Sequence, residues 1–110
     1  MTKLGQLEFL VLGSILRQGN EPYANRVRTD LEKNAGRKIT RGALYRTLDR
    51  LEDKGLLAWE MEPSQIPERG GHPMRRLRLT EAGIEAVRET RDVLTGFMED
   101  LDPALRDVGQ

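Results

Sequence analysis

Two arginines, Arg41 and Arg46, stand five residues apart beside Gly42 and Tyr45, in the stretch TRGALYRTLDRLEDKGLL from Thr40 to Leu57. A guanidinium is planar, always charged and carries paired N–H donors, the pattern that guanine O6 and N7 accept bidentately in a DNA major groove. Gly42 has no side chain to hold a nucleic-acid backbone away; a tight fit against a preceding helix is its other reading. Thr40 is a helix-capping residue, and the free N–H groups behind such a cap attract phosphate. Tyr45 reads either as a hydroxyl reaching a phosphate or as a half-buried ring satisfied internally. Tyr23 and Lys38 are candidate phosphate contacts, which set register without reading bases. Farther along, Arg69, Gly70, Gly71, His72 and Arg75 suit contact with a flanking backbone or minor groove. His72 is the chain's only histidine. With no second histidine and no cysteine, it reads as a loop residue, and neither metal nor cofactor is expected.

These groups need elements to hold them. Leu44, Thr47, Leu48 and Leu51 recur at 3- and 4-residue steps, so the Thr40–Leu57 stretch predicts a helix buried on one side and basic on the other, stopped at Gly55. Before it, Leu4, Leu7, Val11, Ser14 and Ile15, widened by Leu10, Leu12 and Leu16, predict a central helix closed by Gly19-Asn20. Pro22 then suits the first turn of a second helix with Ala24, Val27 and Leu31 on its inner edge, ending near Asn34-Ala35-Gly36.

After Gly55, LLAWEME and MRRLRL each alternate with period two around the loop PSQIPERGGHP, which predicts a β-hairpin. In it, Leu57, Trp59 and Met61 share one face, as do Arg75, Leu77 and Leu79. Trp59 reads as strand core or as an aromatic shelf for a ligand. Thr80 then caps a last helix, expected to end at Asp102-Pro103. Its stripe of Ile84, Val87, Leu94, Met98 and Leu101, with Arg91 in the gap and Phe97 beside it, is more than a small domain needs to cover. It reads as a dimerisation face, or else as packing on its own domain. The fold class is mainly α with a small β-hairpin: a winged helix-turn-helix over 1–79, and a long C-terminal helix with its tail over 80–110.

The 18 basic and 18 acidic residues cancel, so total charge does not point to nucleic acid; its distribution does. From Arg37 to Arg50, five cations (Arg37, Lys38, Arg41, Arg46, Arg50) face Asp49 alone. From Pro67 to Arg78, four arginines face Glu68. After Thr80, eight acids face three arginines. No apolar run approaches the roughly 20 residues of a membrane span. Glu8 interrupts the apolar N-terminus and no cleavage site follows, so a cytoplasmic protein without a membrane partner is expected. No Cys-His set, Ser-His-Asp set or glycine-rich phosphate loop is present, and an enzyme is not expected.

Gly42-Ala43-Leu44-Tyr45-Arg46-Thr47-Leu48-Asp49-Arg50-Leu51-Glu52 followed by Gly55-Leu56-Leu57 resembles the PadR family of bacterial transcription regulators. Arg69-Gly70-Gly71 before an arginine-rich strand, then Leu79-Thr80-Glu81-Ala82-Gly83, is similar to that family's wing-to-helix junction. Glu21-Pro22-Tyr23 is similar to the start of its second helix, where the family usually has glycine before the tyrosine. The family often has proline where this chain has Arg46, and aromatic residues where it has Arg76 and Leu77. The resemblance spans about residues 4 to 100, and the single last helix is similar to the family's shorter subtype. It implies a winged helix and a C-terminal dimerisation helix. With the arginine chemistry, the expectation is a homodimer binding double-stranded operator DNA as a repressor, with a small-molecule effector of unknown identity possible. A winged helix used only for protein interaction is the alternative, which the basic focus on the third helix and wing argues against.

Overall fold

A computed structural model of the chain describes residues 4–62 and 74–109. Helices α1 (Gln6–Arg17), α2 (Ala24–Asn34) and α3 (Arg41–Asp53) precede strands β1 (Leu57–Glu62) and β2 (Met74–Leu79), and α4 (Glu81–Val108) closes the chain. This is the expected helix-helix-helix-hairpin order with a long last helix. The core forms where the apolar stripes meet: Val11, Leu12 and Ile15 of α1, Val27 and Leu31 of α2, Leu44, Leu48 and Leu51 of α3, and Leu57, Leu77 and Leu79 of the hairpin. Each such leucine or isoleucine contributes about 1.5–3 kcal/mol on burial.

Strands β1 and β2 pair antiparallel, with Leu57 opposite Leu79 and Trp59 opposite Leu77. The far edge of β2 is capped by the segment before α2. The Leu77 N–H donates to the Pro22 carbonyl at 2.9 Å, and Tyr23 bridges Arg76. Pro22 therefore lies outside α2, which Tyr23 caps, and not in its first turn as expected. Its fixed φ suits extended backbone as well as a helix start, and here the sheet edge takes it.

At the other end of α1, Glu8 is only 7 % exposed. Its carboxylate accepts from the Gly5 N–H at 2.9 Å, from Lys54 Nζ at 2.8 Å and from Arg50 Nε at 3.5 Å, tying α1 to the end of α3. Burial alone would raise its pKa. The Lys54 and Gly5 hydrogen bonds, the Lys54 charge and the Arg50 hydrogen bond outweigh burial and hold the carboxyl below its ordinary 4.5. A depressed carboxyl stabilises the fold above its unfolded pKa and stops doing so as pH falls through the folded value. Glu8→Gln is thus expected to cost about 1–3 kcal/mol at pH 7. Urea midpoints of variant and wild type should converge as pH drops below about 4.5; a constant gap would show that the charge is irrelevant.

Helix α4 differs from expectation at both ends. Its first turns belong to the core: Gly83 and Ala86 are buried, and Ile84 and Val87 pack against the cluster. Two residues expected in a dimer face thus turn toward their own protomer. The helix also runs through Pro103 to Val108 instead of stopping at Asp102-Pro103. Proline removes the N–H that would reach the Glu99 carbonyl, and its ring crowds that carbonyl, which bends or weakens the helix without having to end it. That stretch is exposed, so water can take the carbonyl and the helix resumes. Among the described residues, no helix is long and apolar enough to cross a membrane.

Candidate nucleic-acid interface

The start of α3 is set by Thr40, whose hydroxyl accepts from the Ala43 N–H at 3.1 Å. This cap leaves the N–H groups of Arg41 and Gly42 without intrahelical partners, at the positive end of the helix dipole. The link into the helix is fixed from both sides. Ile39 is buried, and its carbonyl accepts from Arg28 Nε at 3.2 Å. The buried Leu44, Thr47, Leu48 and Leu51 then turn Arg41, Gly42 and Arg46 outward, and all three are exposed.

Gly42 is open. A Cβ built there meets only the Arg46 guanidinium, at 3.4 Å, so the tight fit against α2 does not occur. Tyr45 is half-buried, with the Arg41 guanidinium 5.7 Å from its ring centre and that of Arg75 4.6 Å away on the ring face. Its hydroxyl has no hydrogen-bond partner among the described residues.

The pairing of cations sorts the surface. Arg17, Arg50, Lys54, Arg75, Arg76, Arg78, Arg88 and Arg91 all sit within ion-pair distance of a carboxylate. Arg37, Lys38, Arg41 and Arg46 have none among the described residues and fall within one ten-residue stretch; Arg26, Arg28 and Lys33 on α2 also have none, with Arg28 donating to the Ile39 carbonyl. A pairless cation keeps its full charge for an incoming phosphate.

Two expected contacts are engaged elsewhere. The Tyr23 hydroxyl donates to Glu62 Oε2 at 2.9 Å and accepts from Arg76 at 2.8 Å, while Arg76 Nε donates to Glu62 at 2.7 Å. The Arg76 bond, then the Tyr23 bond, hold the Glu62 carboxyl below its ordinary value. Tyr23 therefore joins the start of α2 to the hairpin, and its proton is not free for a phosphate. Arg75 is likewise enclosed: its side chain is 17 % exposed and donates to Asp49 Oδ1 at 3.1 Å. Its guanidinium lies 4.2 Å from the Trp59 ring, which settles Trp59 as a packed strand residue. Arg75 occupies the inward register of Leu77 and Leu79, and an arginine in an apolar alternation was the signal for this. Arg69, Gly70, Gly71 and His72 lie outside the described residues.

On α4, Arg91 donates to Asp92 at 2.9 Å. Leu94, Phe97, Met98 and Leu101 are exposed, and Val93, Leu105 and Val108 extend the same apolar surface.

A sequence comparison with curated proteins gave no match. Among solved structures, the chain is similar to a PadR family transcriptional regulator from Eggerthella lenta DSM 2243, at 27 % identity and TM-score 0.72, over 92 % of this chain and 82 % of that one. It is similar to F93 from STIV, a winged-helix DNA-binding protein, at 25 % identity and TM-score 0.66, over 84 % of this chain and 91 % of that one. A PadR family regulator from Clostridium difficile R20291 shares the fold at TM-score 0.76 and 16 % identity, over 92 % of this chain and 99 % of that one. The model of the transcriptional regulator PadR-like family matches residues 11–89. The chain belongs to that family of transcriptional regulators, with a winged-helix fold, and is not an enzyme.

Proposed function

We propose that the protein is a homodimeric repressor that reads a palindromic operator, with α3 in the major groove and the hairpin over the flanking backbone or minor groove. The observation that carries this reading is the concentration of pairless cations, Arg37, Lys38, Arg41 and Arg46, around an open Gly42 at a capped helix start. Arg41 and Arg46 are the base-reading candidates. Lys38, Thr40 and the free N–H groups of Arg41 and Gly42 suit the phosphates beside them. Two recognition helices related by a dimer axis would meet half-sites about one helical turn apart.

Arg41→Ala and Arg46→Ala are each expected to weaken binding to a selected operator by about 1–3 kcal/mol and to relax the preference for one base pair. Mobility shifts on the selected duplex and on single-base variants measure both effects. If both variants bind as tightly as wild type, α3 is not the reading element.

A further inference from the structure

Arg75 stands where three elements meet. Its guanidinium is held between the rings of Tyr45 on α3 and Trp59 on β1, at 4.6 and 4.2 Å from their centres. One of its nitrogens donates to Asp49, one turn after Tyr45 on the same face of α3, at 3.1 Å. Arg41 also lies near Tyr45, 5.7 Å from the ring centre. A chain of cation–ring contacts therefore runs from the first turn of α3 through Tyr45 and Arg75 to the hairpin.

The chemistry of this stack of contacts favours a joint over a DNA contact. A guanidinium this close to two aromatic rings is held by both, and Asp49 accepts from one of its nitrogens. A phosphate-binding arginine needs its N–H donors for the anion and its charge uncompensated. Asp49 also needs an explanation. It is the only acid between Arg37 and Arg50, in the part of α3 nearest the basic start, where a carboxylate would repel DNA; Glu52 and Asp53 follow only at the far end of the helix. Its partner here is Arg75. The buried Trp59 Nε1, which has no hydrogen-bond partner among the described residues, shows how closely the ring is enclosed.

We propose that Arg75 is a positioning residue: held by Tyr45, Trp59 and Asp49, it sets the angle at which β1 and β2 stand on α3, and Asp49 is kept on a DNA-facing helix for that purpose. This rests on the DNA-binding reading above. It replaces Arg75 as a DNA contact and makes the hairpin's placement depend on the recognition helix itself.

The sign of one substitution separates the readings. Asp49→Asn removes a negative charge from the DNA side. As a bystander, Asp49 would then yield tighter binding; as the anchor of Arg75, weaker binding. The assay is fluorescence anisotropy of the full-length protein on the duplex it selects in vitro, across a salt series. Expected results are a roughly three- to tenfold loss for Asp49→Asn and for Arg75→Lys, which keeps the charge but loses the planar stack. The double variant should be no weaker than the worse single one. Any fall in the salt slope should be the same for both variants, since what loosens is the hairpin's contact with the flanking backbone and not a contact of Arg75 itself. Hydroxyl-radical protection of sugars flanking the half-site should fade while that at its centre persists, a split that general destabilisation would not produce.

Trp59 is the only tryptophan, so its emission reports the joint in protein without DNA. A changed emission for Asp49→Asn at an unchanged circular dichroism spectrum is the expected sign of a loosened but folded stack. Tighter binding by Asp49→Asn overturns the proposal. So does a salt slope lowered by about 1 in Arg75→Met with wild-type behaviour of Arg75→Lys, the mark of a phosphate contact. If the wild type binds no duplex in a salt-dependent way, the DNA-binding reading falls and takes this proposal with it. Failure of the Asp49 or Arg75 arms alone leaves that reading standing.

Discussion

Gly83→Ala is expected to lower the melting temperature by about 10–20 °C, from a loss of about 2–4 kcal/mol. Gly83 lies in the first turn of α4 against the link between α3 and β1. A Cβ there would overlap the Leu56 carbonyl oxygen and come within 3.0 Å of its carbon. Backbone cannot rotate aside as a side chain can. The same carbonyl accepts from the Thr80 N–H at 3.1 Å, and the Thr80 hydroxyl donates to the Gly55 carbonyl at 2.7 Å while capping Gly83. Displacing Leu56 would strain all of these, together with Gly55, whose φ of 77° already requires glycine. Gly13→Ala is the control. It is also within a helix, but nothing lies within 4 Å of its Cβ position. There the change should be neutral or stabilising by up to about 1 kcal/mol. Thermal melts followed by circular dichroism measure both. Equal effects at the two positions would show that the contact with Leu56 is not what matters.

Leu94→Asp combined with Met98→Asp is expected to give a monomer of 12.5 kDa by light scattering, where wild type should report about twice that mass. Phe97 is 65 % exposed and Met98 52 %, and with Val93, Leu94, Leu101, Leu105 and Val108 they continue for four turns beyond the core. Each large side chain buried in a pair of such helices contributes about 1.5–3 kcal/mol. Two aspartates one turn apart would replace that with the cost of desolvating charge. A mass identical to wild type would remove the dimer helix from the proposed function. A monomer should also bind the full operator more weakly, because one half-site would be engaged at a time.

How much of this was readable beforehand differs by residue. The stripe of Leu44, Leu48 and Leu51 determined α3, since its buried side follows from spacing alone. The alternation around Trp59 and Leu77 determined the hairpin. Thr40 and Thr80 were legible as caps, and both hydroxyls accept from backbone N–H groups as such residues should. Pairing was less legible. Arg41 and Arg75 have the same chemistry; the apolar alternation around Arg75 marks it as inward, but that Asp49 and two rings enclose it shows only in the distances. Tyr23 was placed beside phosphate because nothing local shows that Glu62, 39 residues away, takes its proton. Glu8 read as an interruption of an apolar helix; its reason is Lys54, 46 residues on. The split of α4 into a packed start and an exposed remainder depends on where Gly83 meets Leu56, which periodicity does not encode.

That split has a consequence for how the chain folds. From Arg91 onward, every described residue of α4 is exposed, so the protomer's core adds nothing to this part of the helix. Its intrinsic propensity is poor: Gly96 costs about 1 kcal/mol and Pro103 about 3 kcal/mol relative to alanine. An isolated helix of this length is marginal in water even with favourable residues. Under the proposed pairing, the order of this segment comes from its partner, so helicity and assembly are a single equilibrium. Dilution would then release the monomer and unwind its last turns together, and the length of α4 becomes a function of protein concentration.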